Sequence, residues 1–250
     1  KATGLNLAQA AARVMVGRSL EEQGITAEPV PGYVSVKESV FPFAKFAGVD
    51  IVLGPEMRST GEVMGIAMDF PAAFAKSQIA ALSRLPTGGT AFVSLARRDR
   101  AAAVPIARRL AALGFHLLGT SGTAQAMAAH GIAVEVLRKI HEGRPNVLDY
   151  LANGSIDLIV NTPSGKGART DEGRIRASAV SHGVPCITTI AGARAAVAAM
   201  ERLRDGKLEV YALQDLLAMG QAAGEVRDAD GRRHAAHVLD PGCSGGAAME

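Results

Sequence analysis

The sequence predicts an α/β protein: a doubly wound, parallel five-stranded sheet preceded by a smaller α+β segment. Three observations carry this reading. After residues 86–90 (PTGGT), five short apolar runs alternate with stretches of helical character, the pattern of successive strand–helix units. Before that turn the alternation is absent, and residues 29–53 mix β-branched and aromatic residues with Pro and Gly. Polar and cationic residues gather just after the apolar runs, where open parallel sheets bind their ligands.

Composition narrows the class before any element is placed. A hydrophobic fraction of 48% against 20% charged residues fits a globular chain and not a disordered one. A net charge of +3, with no Trp and no aromatic-interleaved basic run, argues against a nucleic-acid partner. A modestly basic surface does suit anionic small molecules. Cys186 and Cys243 form neither a metal-ligand pattern nor a disulfide framework, so a reducing cytoplasm is expected. No apolar run approaches the roughly 18 residues that span a membrane, and no signal-peptide pattern opens the chain. The chain also lacks an initiator Met, so a piece of something longer is expected.

Taken in order, residues 5–16 read as an amphipathic helix ended by Gly17, and a short helix capped by Ser19 is expected over 19–23. Residues 29–53 read as strands and turns. The next stretch, GPEMRSTGEVMGIAMDF, carries a dense polar set, Glu56, Arg58, Ser59, Thr60 and Glu62, between glycines, with a solvated loop as the plain alternative to a functional role. Residues 70–85 suit a helix with Pro71 in its first turn. Beyond the 86–90 boundary, strands are expected at 91–96, 115–119, 132–138, 158–162 and 185–191. Helices are expected at 99–113, 123–130, 173–183 and 193–206, with Pro105 ill-suited to the first of them. The domains read as 1–85, 86–219 and a disordered tail over 220–250.

The chain is organised around FHLLGTSGT (115–123), a strand, a glycine–hydroxyl turn and a helix start. Unpaired N–H groups at a helix N-terminus, with the helix dipole behind them, favour an anion. Thr120, Ser121 and Thr123 add hydroxyls, while Gly119 and Gly122 allow close backbone approach. Further strand ends add Arg97, Arg98 and Arg100, then Lys139, His141 and Arg144, then Asn161, Thr162, Ser164 and Lys166. Hydroxyls, amides and cations without a nucleophile–base pair or metal cluster suit a phosphorylated metabolite. His141 reads as a ligand contact or a structural residue, with general acid the alternative; Asp171 and Glu172 read as solvated charges.

Residues 88–217 resemble the methylglyoxal-synthase-like regulatory domain that ends the large subunit of carbamoyl-phosphate synthase. KATGLNLAQAAARVM, VKESVFPFAKFAGVD and GPEMRSTGEVMG are similar to the end of that subunit's second ATP-grasp unit, and HEGRP adds a specific signal. The resemblance implies a glutamine-hydrolysing ligase that joins bicarbonate, ammonia and two ATP into carbamoyl phosphate, for pyrimidine and arginine synthesis. It implies an effector-phosphate site at Thr120, Ser121, Thr123, Lys139 and Asn161, with Arg100 where the family can place a lysine; Pro163 stands where a threonine can occur. The implied effector is a nucleotide monophosphate, inosinate or uridylate. An ornithine site is matched by Glu38 and Thr189, with Cys186 where some members carry tyrosine.

ATP and magnesium or manganese belong to ATP-grasp lobes that would lie before Lys1. No catalytic residue, metal ligand or bound cofactor is therefore expected within this chain; Glu56, Arg58 and Glu62 are read as support for the active site or interdomain contacts of the whole subunit, without individual roles. The implied partners are the remainder of the large subunit and a small glutaminase subunit in an oligomeric enzyme. Two other readings are weighed. A free-standing methylglyoxal synthase needs a carboxylate base in a loop of the type GGDQQ, where this chain has SGKGARTDE. A non-catalytic assembly module is the other.

Overall fold

The computed structural model describes residues 1–41, 51, 59–162, 170–206 and 208–223. These group into two compact units, one formed by residues 1–34 with 210–223 and the other by residues 35–209.

In the first unit, α1 (Leu7–Met15) starts at Asn6, whose side chain accepts from Gln9 N, and stops before Gly17 at φ +91°. Residues 20–24 form turns and not the helix expected at 19–23: Ser19 and Glu22 exchange hydrogen bonds, Ser19 N to Glu22 Oε2 at 2.9 Å and Glu22 N to Ser19 Oγ at 3.1 Å. The capping contacts form, but Gly24 follows too soon for a helix to propagate beyond them. Tyr33 donates to Ala2 O at 2.8 Å, and burial raises its phenol above the ordinary value. A further helix, α8 (Leu213–Ala223), continues past Leu217, where periodicity was expected to fade, into the first residues of the expected tail; the rest of that tail, 224–250, lies outside the described residues.

The second unit opens with β1 (Val34–Val40) paired with β2 (Gly61–Ala67), a strand within the stretch read as loop. α2 (Phe70–Ala80) follows, capped by Asp69, which accepts from Ala72 N at 2.7 Å. It packs closely on β2: a Cβ on Gly65 would lie 2.0 Å from Ala73 O. Its other neighbour is α7 (Ile190–Asp205), so the 86–90 turn marks the start of regular alternation within one compact unit.

The five-stranded sheet has the order β5–β4–β3–β6–β7, all parallel, as the alternation predicts. Its strands are β3 (Gly89–Ser94), β4 (Phe115–Gly119), β5 (Glu135–Val136), β6 (Leu158–Asn161) and β7 (Cys186–Ile187). The third and fifth expected strands pair over two residues only. α3 (Arg100–Ala112) and α7 share one core layer, around Leu110, Leu117, Leu158 and Met200. α5 (Val147–Ala152), a helix the sequence reading missed, and α6 (Asp171–Ser181) cover the other face, around Phe92, Leu118, Leu151 and Ile159. α4 (Ser121–Ala128) joins the first layer through Met127. Crossovers change face between the chains leaving β3 and β6, which creates a crevice at the C-terminal ends of those central strands.

Candidate functional site

At that crevice lies a cavity of about 390 Å³, within the size range of small-molecule sites. Phe92, Val147 and Ile175 form its apolar floor, and Ser94 and Thr120 contribute hydroxyls. Arg100, Arg138 and Lys139 line it with positive charge, and His141, Asp171 and Glu172 complete the lining. Most of these groups come from strand ends, helix starts and connecting loops on the sheet's C-terminal edge.

The cationic end has a specific construction. Thr120 is the N-cap of α4, but its side chain caps no backbone amide; its hydroxyl instead faces Thr123 Oγ1 at 3.2 Å. By contrast, Thr170 and Thr189 cap α6 and α7 by accepting from Gly173 N and Gly192 N, each at 3.0 Å. Gly122 then lets Arg100 lie on the first turn of α4: a Cβ there would sit 2.6 Å from Arg100 Nη2 and 3.1 Å from its Cζ. Arg100 Nε is buried and finds no hydrogen-bond partner among the described residues. A guanidinium against the positive end of a helix is electrostatically unfavourable, and an orphaned buried donor costs about 1–3 kcal/mol. An anion between them relieves both costs.

The loop carrying Lys139 and His141 is fixed by its own hydrogen bonds. Lys139 N donates to Glu142 Oε2 at 2.8 Å, and Asn146 Nδ2 donates to Gly143 O at 2.9 Å. Asn146 caps α5 by accepting from Leu148 N, while its own N–H donates to Asp149 at 2.8 Å. Hydrogen bonds from the Arg144 guanidinium, then from Asn146 N–H, hold the Asp149 carboxyl below its ordinary value. Within the lining, His141 Nδ1 and Asp171 Oδ2 stand 2.9 Å apart. Asp171 and Glu172, read from sequence as solvated charges, are thus part of a wall; at the start of α6 they face inward over the crevice.

Of the residues expected on an effector-phosphate site, Arg100, Thr120 and Lys139 line the cavity. Ser121 is exposed at the first position of α4. Thr123 and Asn161 do not form its wall; both are fully buried beneath the surface. Thr123 Oγ1 accepts from Leu95 N at 3.1 Å, tying α4 to the end of β3. Asn161 Oδ1 accepts from Arg176 Nη1 at 2.9 Å, and its Nδ2 has no partner among the described residues. Thr162 is likewise inward, accepting from Ala96 N at 2.9 Å. Of the pair expected for ornithine, Glu38 accepts from Ser77 Oγ at 3.1 Å and from Gln78 Nε2, and Thr189 caps α7. Pro163, Ser164, Lys166, Glu56 and Arg58 lie outside the described residues. Sequence reading missed Arg138, although it adjoins Lys139, and the apolar floor, whose residues read only as core. Among the described residues no His, Cys, Asp or Glu cluster could hold a metal ion, and no helix is long and apolar enough to cross a membrane.

Comparison with known proteins places this geometry in context. Residues 102–188 match the MGS-like domain family. The carbamoyl phosphate synthase large chain of Rhodopirellula baltica is 58% identical over 214 residues, 86% of this chain and 20% of the relative. That of Synechocystis is 54% identical over 218 residues, 87% of this chain and 20% of the relative. An archaeal large chain, from Methanosarcina acetivorans, is 49% identical over 207 residues, 83% of this chain and 19% of the relative. The chain therefore spans about a fifth of the length of the large chains it matches. It is the counterpart of the C-terminal region of carbamoyl phosphate synthase large chains and carries an MGS-like domain.

Proposed function

We propose that the cavity at the C-terminal edge of the sheet binds a nucleoside monophosphate and so regulates a glutamine-dependent carbamoyl-phosphate synthase. One observation carries the reading: the Arg100 guanidinium, with a buried unpartnered Nε, lies on the uncapped first turn of α4. The phosphate takes that end, with Lys139 and the Thr120 hydroxyl beside it. The apolar floor of Phe92, Val147 and Ile175 accepts a planar base, and the Asp171 carboxylate accepts hydrogen bonds from sugar hydroxyls. The Asp171 and Glu172 carboxylates in the lining oppose further negative charge, which favours one phosphate group over two or three.

The synthesis of carbamoyl phosphate from bicarbonate, glutamine and ATP, with magnesium or manganese, is assigned to the remainder of such a large chain and to a small glutaminase subunit. The cavity supplies regulation in the cytoplasm by differential binding to two states of that enzyme, a coupling of about 1–3 kcal/mol. Calorimetric titration of the chain with inosinate, uridylate and ornithine in turn tests the reading. Saturable binding of one nucleotide is expected, and Lys139→Ala lowers its affinity by about 1.5–3 kcal/mol through loss of a charge-assisted contact. Equal affinity with and without the Lys139 ammonium refutes the assigned site.

A further inference from the structure

Arg100, Arg138 and Lys139 bring the arginine and lysine charge to the cavity lining. A phosphate employs Arg100 and Lys139 and leaves Arg138 without a task. Among the described residues no carboxylate pairs with Arg138: Asp171 is engaged by His141 and Arg174, and Asp149 by Arg144. Its side chain makes one hydrogen bond among those residues, from Nη1 to Arg144 O at 3.1 Å. Nε and Nη2 therefore remain as donors on a planar fork. The side chain is exposed, and a solitary surface charge adds little to stability, so its chemistry is available to a ligand.

The surroundings of Arg138 decide which part of a ligand it meets. The Arg144 carbonyl draws the guanidinium toward the loop that leads into α5, and Arg138 also forms a parallel bridge with Asn146. Asn146 caps α5, and the next residue, Val147, is the part of the apolar floor that α5 supplies. Arg138 thus belongs to the Val147 end of the floor, whereas Arg100 lies on the first turn of α4. Phosphate at Arg100 and a flat base on the floor turn an edge of that base toward Arg138.

A guanidinium fork suits two acceptors set side by side, which is how arginine reads O6 and N7 of guanine. Hypoxanthine carries the same pair. Adenine puts an N6 amino donor in place of O6, and the pyrimidine O4 has a carbon, not a second acceptor, beside it. We propose that Arg138 is a specificity-determining residue of the cavity: its fork takes the O6–N7 edge of a 6-oxopurine and selects that base over adenine and uracil. This rests on the reading of the cavity as a nucleoside monophosphate site and names the base it prefers. Adenine is rejected because a donor meets a donor, and uracil because half of the fork stays unpaired.

The test is calorimetric titration of the chain with inosinate, adenylate, uridylate and ribose 5-phosphate, the last of which keeps sugar and phosphate but has no base. Inosinate is expected to bind about 5- to 150-fold more tightly than adenylate, the discrimination that one bidentate contact supplies. Arg138→Lys keeps the charge and loses the fork, so the preference disappears while ribose 5-phosphate affinity holds. Arg138→Gln presents an amide that pairs with N6 and N7 of adenine, which turns the preference toward adenylate. Both substitutions fall at an exposed position and leave the thermal midpoint in place. An inosinate preference that survives in both variants overturns the inference, as does the lack of such a preference in the unsubstituted chain. Equal losses of inosinate and ribose 5-phosphate affinity in Arg138→Lys also overturn it, because Arg138 would then be a phosphate contact. Failure of the unsubstituted chain to bind any of the four ligands overturns the nucleoside monophosphate reading itself.

Discussion

Replacing Gly122 with alanine separates the stability of the fold from the function of the cavity. The new Cβ would stand 2.6 Å from Arg100 Nη2 and 3.1 Å from Nη1. Ordinary contact begins near 3.4 Å, so the guanidinium must retreat by about 0.8 Å. The atom that must give is the far end of a flexible side chain, and Gly122 is not among the residues with positive φ, so folding loses little. Alanine is also the better helix former, by up to about 1 kcal/mol. The thermal midpoint is therefore expected to hold or rise. Anion binding moves the other way: a guanidinium pushed off the first turn of α4 forfeits a charge-assisted contact of about 1.5–3 kcal/mol, roughly 10- to 150-fold in affinity. Differential scanning calorimetry and isothermal titration on the same sample report both quantities. Unchanged nucleotide affinity in a variant as stable as the parent would refute the role given to Arg100 and α4.

Three further outcomes follow from named contacts. Lys139→Ala flattens the dependence of log affinity on log salt concentration as well as weakening binding, because that charge is solvent-facing; an unaltered slope counts against it as a phosphate partner. Asp171→Ala weakens nucleoside monophosphate binding and leaves inorganic phosphate binding unharmed, since only the former brings sugar hydroxyls to that wall; equal losses for the two ligands would contradict the orientation. Glu201→Gln removes an α3–α7 ion pair in which Arg109 Nε and Nη2 donate at 2.8 and 2.5 Å. The Arg109 hydrogen bond lowers the Glu201 carboxyl below its ordinary value. Its stabilisation is thus full above that value and is lost as pH falls through the depressed folded value. With both side chains about a third exposed, the difference in stability is at most about 1 kcal/mol at neutral pH. Unfolding midpoints of the two proteins converge in acid; a gap that persists there contradicts the assignment.

The sheet was legible because its strands are short apolar runs between glycine-ended helices, the period change that local sequence reports best. β2 was not, because Gly65 and neighbouring polar residues look like a loop, and the reason for that glycine is a backbone contact with α2 distant from any local pattern. α5 was hidden by its length of six residues, too short for a helical period to show. The glycine and hydroxyls of the turn after β4 are what motivate the proposed anion site. Which of its hydroxyls face outward depended on packing: Thr123 turns inward to Leu95 N while Thr120 lines the cavity. Likewise, no spacing in the sequence distinguishes Asp171 on a cavity wall from a solvated charge, or Phe92 on a cavity floor from core. Those assignments come from the crossover between β3 and β6, which brings α5 and α6 over the same edge.

The most direct measurement is a titration of the 15N-labelled chain with inosinate, following backbone amides. Saturable shifts that are largest at Ser121 and Gly122, with Lys139 moving at the same ligand concentration, are the predicted result. No saturable shift at any concentration, or shifts centred away from the first turn of α4, would contradict an effector site at the C-terminal edge of the sheet.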